Sequence, residues 1–574
     1  MAKFSGDFRL RFRITVILFF LVALILVGQL FSIQIAGRAG YAAKAERQYA
    51  SYQSKASISI RGDIYFQEKN ANLVSAATVR DGFLVSVNPK IINDPEKVCG
   101  QIVDIVPVNK EECIKKSLKK DDPSEQIAHR LNLEQAEKIK KLNLKGVEIN
   151  SEQWRFYPGN NLASHILGFV GYNGDDLIGR YGVEEYHEDA LKGKNETGGG
   201  SFASLFFELG KELLASDVSS GRDLVLTIEP QVQSILEESL RVLQEKWKTE
   251  SSGGIIIDPR TGAIIAMAAE PDFNPNFYGA VKDISLFKNP LVSDLFEMGS
   301  VVKPLTLAAA LDTGAVKPDT IYTDNGFLVI DKARIENYDG KSRGRVDMQE
   351  VLNQSLNTGA VFAMRQLGKK NFRKYMSDYG LGEKTGLDVA GEVKGDIRNL
   401  NSPRELEYAN AAFGQGIAVT PIEFASAVSA LANQGILMKP YVVSKVMIDG
   451  EKDKEIKPQP VRQVIKKETA EAITRMLVKV VDTSLMGGTV KMERYSIAAK
   501  TGTAQISKKD SKGYSEDQYL HSFFGYAPAY DPRFLIFLYL EKPQGVQYAA
   551  YSLTPSFMEL MKFLLNYYEV PPDR

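Results

Sequence analysis

The residues best suited to chemistry are a serine and a lysine three positions apart, Ser300 and Lys303. They precede the largely apolar run Leu305–Leu311, which predicts a helix buried in a domain core. Pro304 fits near the start of such a helix, so Ser300 is expected at its N-terminus with Lys303 on the same face. Burial and the positive end of the helix dipole both disfavour an ammonium ion. A serine beside a neutral lysine is an activated nucleophile, although an ordinary helix cap fits the same spacing.

A second polar pair, Ser355 and Asn357, lies within a predicted helical block. On a helix two residues at this spacing diverge, but in a tight turn both can face one cleft. A hydroxyl and an amide placed there can relay a proton and hold a substrate amide. The alternative is a polar turn between two helices.

The third stretch is Lys500–Thr503, which follows small apolar residues and precedes the last predicted strands. Gly502 permits close approach of a ligand to the backbone, and Lys500 with the hydroxyls of Thr501 and Thr503 suits a carboxylate. A phosphate-binding loop is excluded because the glycine that such a loop requires before its lysine is absent. The remaining alternative is a solvated strand edge.

Length and composition limit the possible classes of protein. A chain of 574 residues is expected to form two or more cores. The net charge is zero, so nothing indicates a nucleic-acid partner. No metal or other cofactor is expected, because the four histidines are scattered without ligand spacing: His129, His165, His187 and His521.

The N-terminus predicts a membrane anchor. Four basic residues within positions 1–13 precede Ile14–Ile35, which carries no charge and is long enough to span a bilayer at ~1.5 Å per residue. Positive charge before the span predicts a cytoplasmic N-terminus and a chain that works outside the cytoplasmic membrane. A cleaved signal peptide is the alternative, but the apolar run exceeds a normal signal.

Two further domains are expected after the anchor. Residues 36–220 are polar and irregular and carry no catalytic constellation, so they are interpreted as a pedestal. Residues 221–574 predict an α+β domain, in which an antiparallel sheet draws strands from both ends and a helical block is inserted between them. The elements that predict it are a strand at Asp223–Ile228, an amphipathic helix from Pro230, a hairpin turning at Asp258–Gly262, strands at Phe523–Ala527 and Phe534–Leu540, and a last helix opened by Pro555.

Two smaller features have open or modest interpretations. Cys99 and Cys113 can form a disulfide in an oxidising compartment, or they can be two free thiols. The triplet Arg61-Gly62-Asp63 leads into a strand pattern, which disfavours an exposed adhesion loop.

Together the three motifs resemble the S-x-x-K, S-x-N and K-T-G motifs of penicillin-binding proteins and serine β-lactamases. The pedestal of class B penicillin-binding proteins has signatures similar to Arg61–Ile64, Arg155–Pro158 and Gly182–Glu184. The cell-division transpeptidase branch is the one most similar to Lys500–Ala504, to Phe523–Pro528 and to Phe413–Pro421. Met298 departs from the family, which usually has proline there, and predicts changed loop stiffness rather than lost activity.

The resemblance implies a penicillin-binding transpeptidase fold behind an elongated pedestal and one N-terminal transmembrane helix. It implies a D,D-transpeptidase that acts on peptidoglycan stem peptides, without a metal or other cofactor. Ser300 would attack the carbonyl between the two terminal D-alanines, and Lys303 would accept its proton. The N–H groups of Ser300 and Thr503 would form the oxyanion hole.

The resemblance also implies how the remaining site residues act. Ser355 and Lys500 would return the proton to the leaving D-alanine, and Asn357 would bind the peptide amide. Thr501 and Thr503 would hold the terminal carboxylate, with Gly502 letting the substrate approach the strand.

Partners and alternatives follow from the same family. β-Lactams would acylate Ser300, and a membrane glycosyltransferase and other division proteins are expected partners at the septum. The nearest alternative is an elongation-specific transpeptidase of the same class. A β-lactamase or D,D-carboxypeptidase, with water as acceptor, and a non-enzymatic β-lactam sensor are the others.

Overall fold

The computed structural model describes residues 61–173, 176–192, 221–447, 453–508 and 513–574, together with Ile17. Apart from that one residue, the predicted anchor Ile14–Ile35 lies outside the described residues. None of the helices within the described ranges is long and apolar enough to cross a bilayer. The described chain divides into two compact units, one formed by Arg80–Trp154 and the other by 61–79 with Arg155–Arg574.

The secondary structure alternates short strands and helices along the chain. The strands are β1 (Ile64–Gln67), β2 (Leu73–Val87), β3 (Glu125–Leu131), β4 (Val147–Phe156), β5 (Phe169–Asn173), β6 (Asp176–Arg180), β7 (Asp223–Leu226), β8 (Ser251–Ile257), β9 (Ile264–Glu270), β10 (Tyr322–Asp324), β11 (Phe327–Ile330), β12 (Ala333–Glu336), β13 (Gly344–Val346), β14 (Ile436–Met438), β15 (Val443–Met447), β16 (Lys454–Glu455), β17 (Pro460–Gln463), β18 (Ala498–Ser507), β19 (Tyr514–Ala527) and β20 (Phe534–Glu541). The helices are α1 (Pro95–Val103), α2 (Lys110–Ser117), α3 (Leu133–Lys141), α4 (Ser164–Leu167), α5 (Gly182–Tyr186), α6 (Glu188–Leu191), α7 (Pro230–Trp247), α8 (Pro290–Ser293), α9 (Lys303–Asp312), α10 (Met348–Asn353), α11 (Asn357–Leu367), α12 (Lys369–Asp378), α13 (Glu405–Ala411), α14 (Pro421–Ala432), α15 (Lys467–Lys479) and α16 (Ala549–Tyr567).

The smaller unit packs α1, α2 and α3 with the last part of β2, the whole of β3 and most of β4. Its apolar core is built around Val85, Ile102 and Ile139. A disulfide between Cys99 and Cys113 joins α1 to α2, so the bonded alternative is the one that the structure has. Between α2 and α3 the chain forms β3, which pairs antiparallel with β2.

A five-stranded antiparallel sheet in the order β18-β19-β20-β8-β9 organises the larger unit. It takes strands from both ends of this unit, and the hairpin between β8 and β9 turns at 258–263, as the sequence predicted. Alternate residues of each strand enter two different apolar clusters, because successive side chains point to opposite faces. Ile256 and Leu538 pack in the cluster that contains α7 and α16, whereas Ile255 and Phe537 pack in the cluster that contains α9 and α14.

The predicted helical block is present and is less uniform than the sequence suggested. It runs from α9 to α14 and also holds two small antiparallel pairs, β10 with β13 and β11 with β12. The amphipathic helix predicted from Pro230 is α7, and its Ile235 is 40% exposed.

The start of the last helix was predicted wrongly. Pro555 lies inside α16, which begins at Ala549. Proline cannot donate the hydrogen bond of the helix interior, so its position usually marks a first turn. Here tertiary contacts fix the earlier start, because the Ala549 N–H donates to Thr503 Oγ1 at 3.1 Å and Ser552 contacts the ring of His521.

Three stretches that are far apart in sequence meet in a buried ionic cluster of the larger unit. The Glu184 carboxylate accepts hydrogen bonds from Arg61 Nε at 2.8 Å, from Arg155 Nε at 2.7 Å and from the Tyr157 hydroxyl at 3.2 Å. Burial alone would raise the pKa of Glu184, but Arg155 and Arg61 outweigh it and hold that pKa below its usual range. Arg61 is therefore a buried structural residue, as its position before β1 indicated, and not an exposed adhesion residue.

Replacing Glu184 tests how much this cluster contributes to folding. Glu184→Gln removes the buried carboxylate that two guanidinium groups share and leaves them only the partly exposed Glu188 and Asp63 as countercharges. This is expected to destabilise the larger unit by about 3–5 kcal/mol. The measurement is the midpoint of denaturant unfolding followed by circular dichroism. The control Glu188→Gln removes a carboxylate that also pairs with Arg61 but is 22% exposed, so a smaller shift is expected. Equal shifts in the two variants would contradict the assignment.

Candidate active site

Ser300 lies in the 3-10 turn Gly299–Val302, which leads directly into α9. Gly299 has φ +67°, and its N–H donates to the Gly414 carbonyl at 3.0 Å. A Cβ on Gly414 would lie 2.2 Å from the Gly299 carbonyl oxygen, so glycine is required for these backbones to approach. The serine is thus held at the start of a helix, close to the predicted position.

Met298 precedes this turn and is buried. Its φ of −72° lies within the range that proline adopts. Its carbonyl accepts a hydrogen bond from Ser522 Oγ at 2.8 Å, which ties the turn to β19. The backbone shape that a proline would impose is therefore already present, and the effect of Met298 on loop stiffness stays a prediction.

Lys303 is the first residue of α9 and is fully buried. Its Nζ donates to two atoms of Ser355, the carbonyl oxygen at 2.5 Å and Oγ at 3.2 Å. Burial, reinforced by Lys500, holds the pKa of Lys303 well below its usual range. A neutral amine has two N–H donors and one lone pair. Because both donors point at Ser355, the lone pair is free to accept a proton.

Ser355 occupies the turn between α10 and α11 with φ +54°, a left-handed conformation that is uncommon for serine. Both interpretations of the sequence required a turn here, and the structure has one. Ser355 Oγ also accepts a hydrogen bond from Lys500 Nζ at 3.0 Å. A hydroxyl has two lone pairs and one proton. Since Lys303 and Lys500 occupy both lone pairs, the Ser355 proton is left to donate to a third group.

Lys500 lies in β18 and is 3% exposed, so the alternative of a solvated strand edge is wrong. Its Nζ also donates to the Thr501 carbonyl at 2.9 Å. Burial lowers the pKa of Lys500 to about 7. A charged lysine has three donors, and two of them are used by Ser355 and Thr501. The third is free for an anionic group of a substrate.

Gly502 brings β18 against the turn that carries Ser300. A Cβ at this position would lie 2.4 Å from Ser522 Oγ, 2.9 Å from the Met298 carbonyl and 3.0 Å from the Val301 nitrogen. No side chain fits that space without moving backbone atoms. Gly502 was predicted to permit a ligand's approach, and in the structure it permits the close approach of the protein's own turn that carries Ser300.

The hydroxyls of the third motif are half-buried in β18. Thr503 Oγ1 accepts a hydrogen bond from the first N–H of α16 at 3.1 Å, so its proton remains available to a carboxylate. Thr501 precedes Gly502 in the same strand, and its carbonyl is the group that holds Lys500.

Asn357 is the first residue of α11, and its Nδ2 donates to the Glu336 carbonyl of β12 at 2.7 Å. Its neighbour Thr358 donates to the carboxylate of Asp324 at 2.7 Å, and Asn337 donates to the same carboxylate at 3.0 Å. Asp324 is 1% exposed. This buried network fixes the start of α11, and no sequence pattern indicated it because its contacts join residues 13 and 34 positions apart.

His521 also has a role that the sequence did not indicate. The sequence showed only that its histidines lack metal-ligand spacing. His521 is fully buried in β19, opposite Thr503 in the register of the sheet. Burial lowers the pKa of its ring to about 4, so the ring is neutral at neutral pH. Nε2–H then donates to the Gln547 carbonyl at 3.1 Å, and Nδ1 accepts from the Ser552 hydroxyl at 2.8 Å. His521 thereby holds the N-terminus of α16 where it contacts Thr503.

The chain is similar to known protein families along most of its length. Residues 253–562 match the penicillin binding protein transpeptidase domain, and residues 57–226 match the penicillin-binding protein dimerisation domain. Stage V sporulation protein D of Bacillus subtilis strain 168 is 34% identical over 528 residues, which cover 90% of this chain and 79% of that protein. Peptidoglycan D,D-transpeptidase FtsI of Escherichia coli strain K12 is 28% identical over 460 residues, which cover 78% of this chain and 73% of that protein.

The fold is also found in solved structures. Penicillin-binding protein 3 from Mycobacterium tuberculosis, complexed with aztreonam, is similar with a TM-score of 0.67 and 21% identity, covering 90% of this chain and 97% of that chain. This likeness and the match of the transpeptidase domain confirm a penicillin-binding transpeptidase fold of mixed helices and strands.

The protonation states of the two lysines predict a bell-shaped pH profile. The rate of Ser300 acylation by a thioester ending in D-alanine should rise as Lys303 loses its proton and fall as Lys500 loses its charge. The pKa of Lys500 places the alkaline midpoint at about 7. In Lys500→Gln the rate should be lower and the alkaline limb absent. A wild-type rate that keeps rising to about pH 10 would contradict this assignment.

Substitution of His521 tests its positioning role. His521→Ala removes both ring contacts, and we expect the rate of acylation to fall by about tenfold or more because Thr503 and α16 shift. His521→Gln keeps one donor and one acceptor and should restore part of the rate. His129→Ala changes a half-exposed histidine of the other unit and should change nothing. Equal rates in His521→Ala and His521→Gln would argue against positioning by hydrogen bonds.

Proposed function

The chain belongs to the class B penicillin-binding proteins, which are serine-type D,D-transpeptidases, and from this premise we propose that it cross-links peptidoglycan stem peptides at the division septum through an acyl-enzyme on Ser300. The observation that carries the proposal is the Ser355 hydroxyl, which accepts hydrogen bonds from Lys303 and Lys500 at 3.2 and 3.0 Å. Two buried lysines on one hydroxyl supply a neutral base and a nearby positive charge, which acyl transfer from a serine needs.

In the first step, Ser300 forms the acyl-enzyme and Lys303 acts as the base. Ser300 Oγ adds to the carbonyl carbon of the penultimate D-alanine while its proton passes to the free lone pair of Lys303. The N–H groups of Ser300 and Thr503 stabilise the oxyanion of the tetrahedral intermediate. The C–N bond then breaks, and the Ser355 hydroxyl donates its proton to the leaving nitrogen as Lys303 replenishes it.

Transfer to the acceptor reverses these proton movements. An amine of a neighbouring stem peptide adds to the ester carbonyl and gives up a proton through Ser355 and Lys303. The ester C–O bond breaks, Ser300 Oγ takes the proton back, and a new peptide bond joins the two stems. The groups that served as acid and base in acylation exchange roles, as microscopic reversibility requires.

Substrate orientation is proposed to depend on the two walls of the cleft. The third N–H of Lys500 and the hydroxyls of Thr501 and Thr503 hold the terminal carboxylate, and Gly502 lets the peptide lie against β18. On the other wall, Asn357 has one amide hydrogen bonded to the Glu336 carbonyl and presents its oxygen to the substrate amide.

β-Lactams are proposed as covalent inhibitors that acylate Ser300, which the aztreonam complex of the similar protein supports. The proposed arrangement has residues 1–13 in the cytoplasm, an anchor at 14–35, a pedestal at 36–220 and a transpeptidase domain at 221–574 on the outer side of the membrane. A membrane glycosyltransferase and other division proteins are the proposed partners.

The proposed septal role is supported by the motifs that are most similar to the cell-division branch and by the similarity to FtsI. Two other cellular roles are alternatives. Elongation of the side wall uses the same chemistry. Wall synthesis during sporulation is favoured by the 34% identity with a stage V sporulation protein. A β-lactamase or D,D-carboxypeptidase would hydrolyse the acyl-enzyme instead of transferring it, and a sensor would be acylated without cross-linking.

Labelling of membranes with a fluorescent penicillin tests the nucleophile. We expect wild type and the control Ser285→Ala, a surface serine, to label equally, and Ser300→Ala to lose at least about 99% of the label because the covalent bond requires that oxygen. Labelling of Ser300→Ala would overturn the assignment. Formation of cross-linked dimers from paired stem peptides would exclude a non-enzymatic sensor. Slow release of the penicillin label, together with those dimers, would exclude an enzyme that mainly hydrolyses its acyl-enzyme.

Depletion of the protein in growing cells separates the roles. Filaments are the expected result for septal synthesis. Rounded cells would instead indicate elongation, and normal growth with defective spores would indicate the sporulation role.

A further inference from the structure

A polar cavity lies between α12 and the segment 394–401. It has a volume of about 440 Å³ and is lined by Arg373, Ser377, Gly382, Lys394, Gly395, Asp396, Ile397, Arg398 and Asn401. None of these residues belongs to the three catalytic motifs. Its size falls within the range of small-molecule sites.

The charges of the cavity are unbalanced. Its only carboxylate is Asp396, which accepts from Arg398 Nε at 2.9 Å and from Arg398 Nη2 at 2.6 Å. That pair is neutral as a unit. Within the described ranges, no ion pair or side-chain hydrogen bond occupies Arg373 or Lys394. The rim of the cavity therefore carries two solvent-exposed positive side chains that no carboxylate of the described residues pairs with.

The cavity wall is held by buried contacts rather than by loose loops. Glu423 of α14 is 1% exposed, and its Oε1 accepts from the N–H of Gly382 at 3.0 Å and of Gly395 at 2.9 Å. Asp396 also exchanges two backbone hydrogen bonds with Ala418, at 2.6 and 3.1 Å. The backbone on both sides of the cavity is thus fixed to the same region of the core, and the exposed side chains of Arg373 and Lys394 extend from this fixed frame.

The side chains define the chemistry of the ligand. Arginine binds phosphate oxygens through two parallel N–H donors, and lysine adds a point charge. A doubly charged phosphate monoester balances Arg373 and Lys394. The remaining space is lined by polar groups that suit hydroxyls, among them the Ser377 hydroxyl and the Asn401 amide. An apolar ligand would leave these groups unsatisfied.

We propose that this cavity binds a sugar phosphate, with the phosphate between Arg373 and Lys394 and the sugar against Ser377 and Asn401. The same group can come from a free sugar phosphate or from a phosphorylated sugar at the end of a wall polymer. This site goes beyond the transpeptidase activity and does not depend on it.

Calorimetric titration of the full chain in non-ionic detergent tests the proposal with glucose 1-phosphate, glucose and inorganic phosphate as probes. We expect glucose 1-phosphate to bind at least about tenfold more tightly than inorganic phosphate, and glucose not to bind. Arg373→Gln and Lys394→Gln should each weaken binding by about tenfold or more, and raised salt should weaken it further. Lys467→Gln, which removes an exposed lysine of α15, is the charge-matched control and should bind as wild type does.

The possible outcomes separate the proposal from simple charge attraction. Absence of glucose 1-phosphate binding, or equal binding by the double variant Arg373→Gln/Lys394→Gln and the control, would overturn the site. Equal affinity for inorganic phosphate would overturn the assignment to a sugar phosphate. Competition by an oligomer ending in a phosphorylated sugar would support the site with a polymer as the source, and binding of the monomer alone would support it with a free metabolite. Labelling by fluorescent penicillin reports that each variant is folded.

Discussion

The arrangement of the candidate active site depends on the hydroxyl of Ser355, which binds both of its lysines. Lys303 and Lys500 both donate to it from buried positions, and within the described chain neither lysine is paired with a carboxylate. Burying an unpaired ammonium ion is costly, so the environment favours the neutral amine at Lys303 and leaves Lys500 near its titration midpoint. A carboxylate beside Lys303 would stabilise the ammonium form of that lysine and remove the base. The lack of such a carboxylate within the described chain therefore keeps the neutral amine available as a base.

This arrangement requires that three elements meet with little tolerance. The left-handed turn at Ser355 points its carbonyl and hydroxyl at Lys303, the start of α9 supplies that lysine, and β18 supplies Lys500. Gly502 allows β18 to lie against the turn that carries Ser300. Apolar clusters on both faces of the central sheet hold these elements, and their burial offsets the cost of polar groups in the interior. The site is rigid because its supports are helices and strands of the core.

The sequence was sufficient to find the three motifs, because residue type and spacing carry them, and to outline the central sheet, because strand periodicity and turn residues are local signals. It could not show that the N–H donors of Lys303 point to Ser355, since that contact joins residues 52 positions apart. The Asp324 network and the role of His521 were missed for the same reason. Pro555 misled because its local preference for a first turn is weaker than the tertiary contacts that start α16 earlier.

The same distinction between local and long-range signals bears on how the chain is divided. A composition shift near Gly221 suggested a boundary, yet β7, which begins two residues later, pairs in parallel with β1 and antiparallel with β15. Its neighbours thus come from both sides of that position in the sequence. The cluster of Arg61, Arg155 and Glu184 likewise joins the segments 61–79 and 155–192 within the larger compact unit. A change in composition along the sequence and a boundary between compact units are different properties. This chain passes from one compact unit to the other within β2 and again within β4, so the two kinds of boundary need not fall at the same residue.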